Sequence, residues 1–142
     1  MSHDPTNITP SAWRARFDAH IAARMGQPFA WGVQDCCLFA ADCAVIKSGA
    51  DPASDLRRTY SDAAGALRAL AAVGGIESAG ARFGAPILPL MAIVGDVGLV
   101  PCGERESLAV CAGDVWLAPA ATGLAALPLD HARMAWRVTC PF

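Results

Sequence analysis

The residues best suited to chemistry are a cysteine pair that follows an aspartate. Residues 26–37 read G-Q-P-F-A-W-G-V-Q-D-C-C, so Asp35 directly precedes Cys36 and Cys37. Aspartate is a strong helix N-cap, and it predicts a helix that begins at Cys36. A thiol in the first helical turn lies beside unpaired N–H groups and a partial positive charge, both of which stabilise a thiolate. Cys36 is therefore either a nucleophile or a small buried packing residue.

A cysteine nucleophile needs a base that accepts its proton, and the sequence offers three histidines. His131 follows Asp130, which could orient the imidazole if the fold brought it to Cys36. A surface histidine is the simpler interpretation of His131. His20 is expected on the polar side of the first helix and His3 in the N-terminal segment, so neither is a candidate. The candidate catalytic set is Cys36, Asp35 and His131.

The stretch around Cys36 resembles the G-x-P-Y-x-W-G … D-C-S-G signature of NlpC/p60 peptidases. These papain-like enzymes cleave peptide bonds in bacterial peptidoglycan. The resemblance places Cys36 at the nucleophile position, and Phe29 stands where the family has tyrosine. It implies an α+β papain-like fold with N-terminal helices packed on a small antiparallel sheet. It also implies that Phe29 and Trp31 border the substrate.

The resemblance continues weakly into the second half of the chain. Gly95, Asp96 and Val97 match a G-D-x-V strand, which in the family is followed by a strand that starts H-V-G-I and carries the base. Here the second strand reads S-L-A-V-C-A-G, with Ser107 where the histidine should be. A serine hydroxyl cannot accept a thiol proton near neutral pH, so the thiol–imidazole pair is missing. The resemblance still implies that Ser107 borders the substrate.

A closer likeness is to short phage and prophage proteins with the pattern W-G-x-x-D-C-x-L-F-A-A-D, then G-x-D-P and R-x-x-Y. The matching positions are residues 31–42, 49–52, Arg57 or Arg58 with Tyr60, and Trp136 near the C-terminus. Such proteins resemble components of a phage tail tip or baseplate, and the base position is commonly not histidine in them. The resemblance implies other tail-tip proteins as partners and the virion tail as location.

Hydrophobic spacing predicts helices in the first half of the chain and strands in the second, the order typical of an α+β domain. The predicted helices cover residues 11–25, 36–47, 61–73 and 76–83, and the predicted strands cover 97–100, 108–111 and 115–118. A length of 142 residues fits one domain. We expect that domain to span residues 11–142, preceded by a loose arm of residues 1–10.

Composition argues against several classes of protein. Charged residues make up 17% of the chain and the net charge is −2, which does not favour an electrostatic nucleic-acid binder. The most apolar stretch, residues 85–101, is interrupted by prolines, so no membrane insertion is expected. The start lacks a basic segment followed by an apolar run, so we expect synthesis in the bacterial cytoplasm. The six cysteines contain no C-x-x-C pair, and neither a metal nor another cofactor is expected.

Two hypotheses of function follow. The favoured one is a structural tail-tip or baseplate component that keeps a degenerate NlpC/p60-like fold. The alternative is an active peptidoglycan-degrading cysteine peptidase used during entry, with an unidentified base. Because hydrophobic residues reach 54%, we expect an apolar surface that binds partner proteins. The expected contact is the C-terminal stretch, residues 115–142, with Trp116, Trp136 and Phe142, although the tryptophans could equally be core residues.

Overall fold

The computed structural model describes residues 10–141 and their side chains from residue 12 onward. Within that range, four helices come first and a six-stranded antiparallel sheet follows, so the expected α+β class is confirmed. The helices are α1 (Pro10–Arg24), α2 (Cys36–Ser48), α3 (Ala63–Ala72) and α4 (Ile76–Ala81). The strands are β1 (Pro86–Ile87), β2 (Val97–Cys102), β3 (Arg105–Cys111), β4 (Val115–Ala120), β5 (Gly123–Pro128) and β6 (Met134–Trp136). The predicted arm, apart from Pro10 at the start of α1, lies outside the described residues.

The sheet has the strand order β1-β6-β2-β3-β4-β5. Three of its strands, β1, β5 and β6, were not predicted from the sequence. Helix α2 packs across β3 and β4, while α1 lies on α2 and α4 packs near β2, β3 and β6. Helix α2 therefore connects the helical half of the chain to the central strands of the sheet.

Helix α2 begins and ends at the residues that local signals predict. Asp35 is its N-cap, and Gly49, with a φ of 80°, ends it in the left-handed conformation that glycine adopts without strain. Helix α3 starts at Ala63, two residues later than predicted, because the Asp62 side chain accepts a hydrogen bond from the Gly65 N–H and caps it.

Trp116 and Trp136 are 0% and 2% exposed, so the expectation that they anchor a partner is wrong, while Phe142 lies outside the described residues. Each ring lies directly on a glycine. A Cβ at Gly98 would stand 2.7 Å from the Trp116 ring, and a Cβ at Gly80 would stand 2.3 Å from the Trp136 ring. Trp136 belongs to the core between the sheet and the helices, and Trp116 belongs to a second apolar cluster that contains neither α1 nor α2. Both rings are core residues.

A buried charged cluster joins α2 to the start of β2. The fully buried Asp96 carboxylate accepts hydrogen bonds from the backbone N–H groups of Ile93 and Val138, at 2.9 and 3.0 Å. It also pairs with Arg137 at 2.9 Å and with the buried Lys47 ammonium at 3.5 Å. Lys47 in turn donates to the Val94 carbonyl at 2.7 Å. The cluster ties the helical layer to the sheet.

No helix within the described residues is both long and apolar enough to cross a membrane.

We predict that Asp96→Ala lowers the free energy of unfolding by roughly 3–5 kcal/mol, because it leaves the Lys47 charge buried without its carboxylate. Urea unfolding followed by circular dichroism measures the loss. Asp55→Ala is the matched control, since Asp55 pairs with Arg82 at the surface and should change stability much less. Equal losses in the two variants would contradict a structural role for the cluster.

Candidate functional site

The Asp35 carboxylate organises the start of α2. It is 2% exposed and accepts three hydrogen bonds. One oxygen accepts from the Leu38 N–H at 2.9 Å, as an N-cap does. The other accepts from the Gly32 N–H at 2.9 Å and from the Tyr60 hydroxyl at 2.7 Å. Because these bonds occupy the carboxylate, Asp35 acts as a cap that fixes Cys36 in the first turn.

The loop before α2 is held from both sides. The Phe29 N–H donates to the Ala120 carbonyl at the end of β4, 2.9 Å away. Gly32 has a φ of 79°, and a Cβ there would stand 2.5 Å from the Tyr60 carbonyl oxygen. Only glycine fits that position. Phe29 and Trp31 pack edge to face with ring centroids 4.6 Å apart, so the two aromatic rings have a defined place beside α2.

A cleft of about 490 Å³ opens at the start of α2, and we call it the thiol cleft. Its lining consists of Phe29, Trp31, Cys36, Cys102 and residues 105–107 and 119–121. Four residues that the sequence singled out, Phe29, Trp31, Cys36 and Ser107, thus lie together. A second cavity, of about 50 Å³, is lined by Trp31, Asp35, Cys36 and Tyr60, among others. Cys36 borders both.

The thiol cleft lies where β3 and β4 part. The two strands pair only at Val110 with Leu117 and at Cys111 with Trp116, whereas β2–β3 and β4–β5 each pair along six residues. The Ala112 N–H donates to the Val115 carbonyl. Since hydrogen-bonded pairs alternate along an antiparallel ladder, the next such pair would join Leu108 and Pro119. Proline has no N–H to donate, and the ladder ends there.

The N–H and C=O groups of Leu108, which face residue 119, both have other partners. The Ser107 hydroxyl donates to the Leu108 carbonyl at 3.0 Å. The Leu108 backbone and the Ser107 side chain also lie within hydrogen-bonding reach of the Cys36 thiol. Ser107 therefore stands beside Cys36 and, at the same time, satisfies a buried carbonyl that would otherwise lack a strand partner.

The environment of Cys36 does not favour a thiolate. Burial raises the pKa of the Cys36 thiol above its ordinary value of 9.0, and the negative charge of Asp35 raises it further. The Leu108 N–H and the neighbouring Ser107 hydroxyl act in the opposite direction without outweighing burial. Near neutral pH the thiol is protonated, which is the less reactive form.

Neither histidine in the described residues is brought to Cys36. His131 lies exposed in a short 3-10 helix, Leu129–His131, between β5 and β6, and lines neither cavity. His20 is half-buried in α1, stacked on Phe39 with ring centroids 6.2 Å apart. Burial and the nearby Arg24 lower the pKa of His20. The third histidine, His3, lies outside the described residues.

Residues 10–138 match the family model described as a domain of unknown function, DUF6950. The match covers most of the chain. The chain belongs to the DUF6950 family. A comparison with curated proteins found no match.

Three site residues of this DUF6950 domain were missed by sequence reasoning about chemistry. Tyr60 was noted only as part of the R-x-x-Y pattern, yet it donates to Asp35. Pro119 ends the β3–β4 ladder, and a proline inside an apolar strand-like run was the available signal. Arg105 lines the thiol cleft, but nothing in the sequence distinguishes it from other arginines. No group of three or more His, Cys, Asp or Glu side chains suited to a metal ion occurs in the part of the DUF6950 domain that the structure describes.

We predict that Cys36 of the DUF6950 domain is alkylated slowly by iodoacetamide near neutral pH, with a rate that still rises above pH 9.0 because its pKa is raised from that value. Mass spectrometry of the alkylated peptides measures each cysteine separately. The exposed Cys102, in the same cleft, is the internal control and should react faster. A Cys36 rate that is high and constant from neutral pH upward would instead reveal a stabilised thiolate.

We predict that Ser107→Ala destabilises the DUF6950 domain by about 1–3 kcal/mol, because the buried Leu108 carbonyl loses its donor. Thermal and urea unfolding measure the effect. Ser78→Ala is the control, since the Ser78 hydroxyl donates to the Gly74 carbonyl at an exposed site and its loss should matter little. If the two variants are equally stable, Ser107 has no structural role.

Proposed function

We propose that this chain is a papain-like domain of NlpC/p60 type that has lost peptidase chemistry and serves as a component of a phage tail tip or baseplate. One observation carries the proposal: Ser107, rather than a histidine, stands beside Cys36. A thiol peptidase requires a residue that takes up the thiol proton, and a serine hydroxyl does not do so near neutral pH.

The papain-like part of the proposal is supported by the positions of two elements. Cys36 is the first residue of α2, which packs across the antiparallel strands β3 and β4. The Gly95–Asp96 turn leads into β2, and β3, the next strand of that hairpin, passes beside Cys36. These are the positions at which the resembled family carries its nucleophile and its base. The protonated thiol and the occupied Asp35 carboxylate support the loss of activity.

The tail-tip part of the proposal rests on the phage-type pattern and is supported by the surface. Four large apolar residues close together in sequence, Leu88, Leu90, Met91 and Ile93, are 74%, 68%, 64% and 53% exposed. Exposed apolar patches commonly mark contacts between proteins. We propose this segment, rather than the buried tryptophans, as a contact with other tail-tip proteins.

Active peptidoglycan hydrolysis is the second candidate. A cysteine at a helix N-terminus, in a cleft bordered by Phe29 and Trp31, is the observation that favours it. It would need a base supplied from outside the two cavities that Cys36 borders, because no histidine of the described residues lines them.

We predict that the purified protein releases no cleaved stem peptides from muropeptides, as measured by mass spectrometry, because Cys36 lacks a base. Release that disappears in Cys36→Ala would instead establish the peptidase.

We also predict that Leu88→Asp with Leu90→Asp removes the protein from purified tail particles of the phage that encodes it, because a charge disrupts the apolar contact. Immunoblotting of the particles measures incorporation. Cys36→Ala should be incorporated normally, and Leu67→Asp, at another exposed leucine, is the matched control. Particles that never contain the wild-type protein would overturn the tail-tip role.

A further inference from the structure

The parting of β3 and β4 leaves a gap in the sheet beyond their two paired positions. Along β3, backbone groups of alternate residues face β4, and residues 110 and 112 bond to β4 residues. At Leu108 these groups meet Ser107 and Cys36 instead. The same alternation turns the N–H and C=O of Glu106 toward the gap, where no strand pairs with them. An extended peptide satisfies groups of this kind by strand addition.

The walls of the thiol cleft are mainly apolar. Phe29, Trp31 and Pro119 are among the residues that line it. The volume of about 490 Å³ lies within the range of roughly 300–1,000 Å³ typical of small-ligand pockets. The cleft therefore accommodates a segment of dipeptide size with an apolar side chain against the two aromatic rings.

The lining of the cleft contains one residue of each charge, Arg105 and Glu106. Glu106 is already paired with Arg133, which donates to its two carboxylate oxygens at 2.9 and 2.7 Å and also pairs with Glu77. Arg105 also lines the cleft, and no ion pair forms with it among residues 12–141. Its guanidinium is thus available for a carboxylate.

We propose that the thiol cleft binds an extended peptide segment of a partner protein, in which an apolar side chain lies next to a carboxylate. The peptide backbone pairs with Glu106, the apolar side chain packs on Phe29 and Trp31, and the carboxylate lies beside Arg105. This inference rests on the proposed non-catalytic role of the cleft, and it specifies the chemistry of the partner.

The probe is the dipeptide acetyl-Leu-Phe with a free C-terminal carboxylate. The same dipeptide with a C-terminal amide is the uncharged control. Titration of the full ¹⁵N-labelled chain followed by NMR should shift the Trp31 indole and the amides of residues 105–107 and 120–121. We expect the amide to bind roughly two- to five-fold more weakly, the scale of one partly exposed ion pair. Arg105→Gln should remove that difference, whereas Arg16→Gln, at an exposed arginine of α1, should keep it.

The gap itself is tested by Pro119→Ala. Alanine restores the N–H at residue 119, which can donate to the Leu108 carbonyl and extend the β3–β4 pairing, so we expect that new amide to exchange slowly and the probe to lose most of its affinity. Pro128→Ala, at the end of β5 and outside the cleft lining, is the matched control and should bind normally.

Equal binding of acid and amide, or unchanged binding in Arg105→Gln, would overturn the inference. Binding of muramyl dipeptide in place of acetyl-Leu-Phe would also overturn it, in favour of a peptidoglycan ligand. The experiments distinguish failure of this inference from failure of the proposed function. Absence of probe binding together with absence of muropeptide cleavage removes this inference alone, while cleavage lost in Cys36→Ala removes the proposed function.

Discussion

One buried carboxylate determines the geometry of the candidate site. Asp35 simultaneously caps α2, holds the backbone of the preceding loop at Gly32 and accepts a hydrogen bond from the hydroxyl of Tyr60, which lies between α2 and α3 in the chain. A buried carboxylate is stable only when it is fully hydrogen-bonded, so these three partners are mutually dependent. Their arrangement sets where Cys36 begins the helix and where Phe29 and Trp31 border the cleft.

The same arrangement separates position from reactivity. Cys36 occupies a place that suits a nucleophile, yet burial and the Asp35 charge both disfavour its thiolate. Helix N-terminal N–H groups lower a thiol pKa only modestly when they act without a base, and here the Asp35 cap already uses the Leu38 N–H. The site therefore combines a cleft beside a helix start with a cysteine that is protonated near neutral pH.

Sequence reasoning located α2 and the residues around Cys36 because their signals are local: a capping aspartate, a terminating glycine and a run of aromatic residues. It missed β5 and β6 because G-L-A-A-L-P and M-A-W contain no β-branched residue, and pairing with neighbouring strands is what makes them strands. Trp116 and Trp136 were misjudged for a related reason. The glycines that receive their rings, Gly98 and Gly80, are remote in sequence. The adjacency of Asp130 to His131 likewise carries no information on the distance to Cys36.

Pro119 has a consequence for how this architecture evolves. The codons of proline differ by one base from those of alanine, serine and threonine, each of which has the backbone N–H that would complete the β3–β4 ladder beside Leu108. An open or a sealed form of the domain is thus separated by a single nucleotide, with the helical layer and the Asp35 hydrogen bonds left intact. A lineage can thus close or reopen the cleft in one mutational step without rebuilding the fold that carries it.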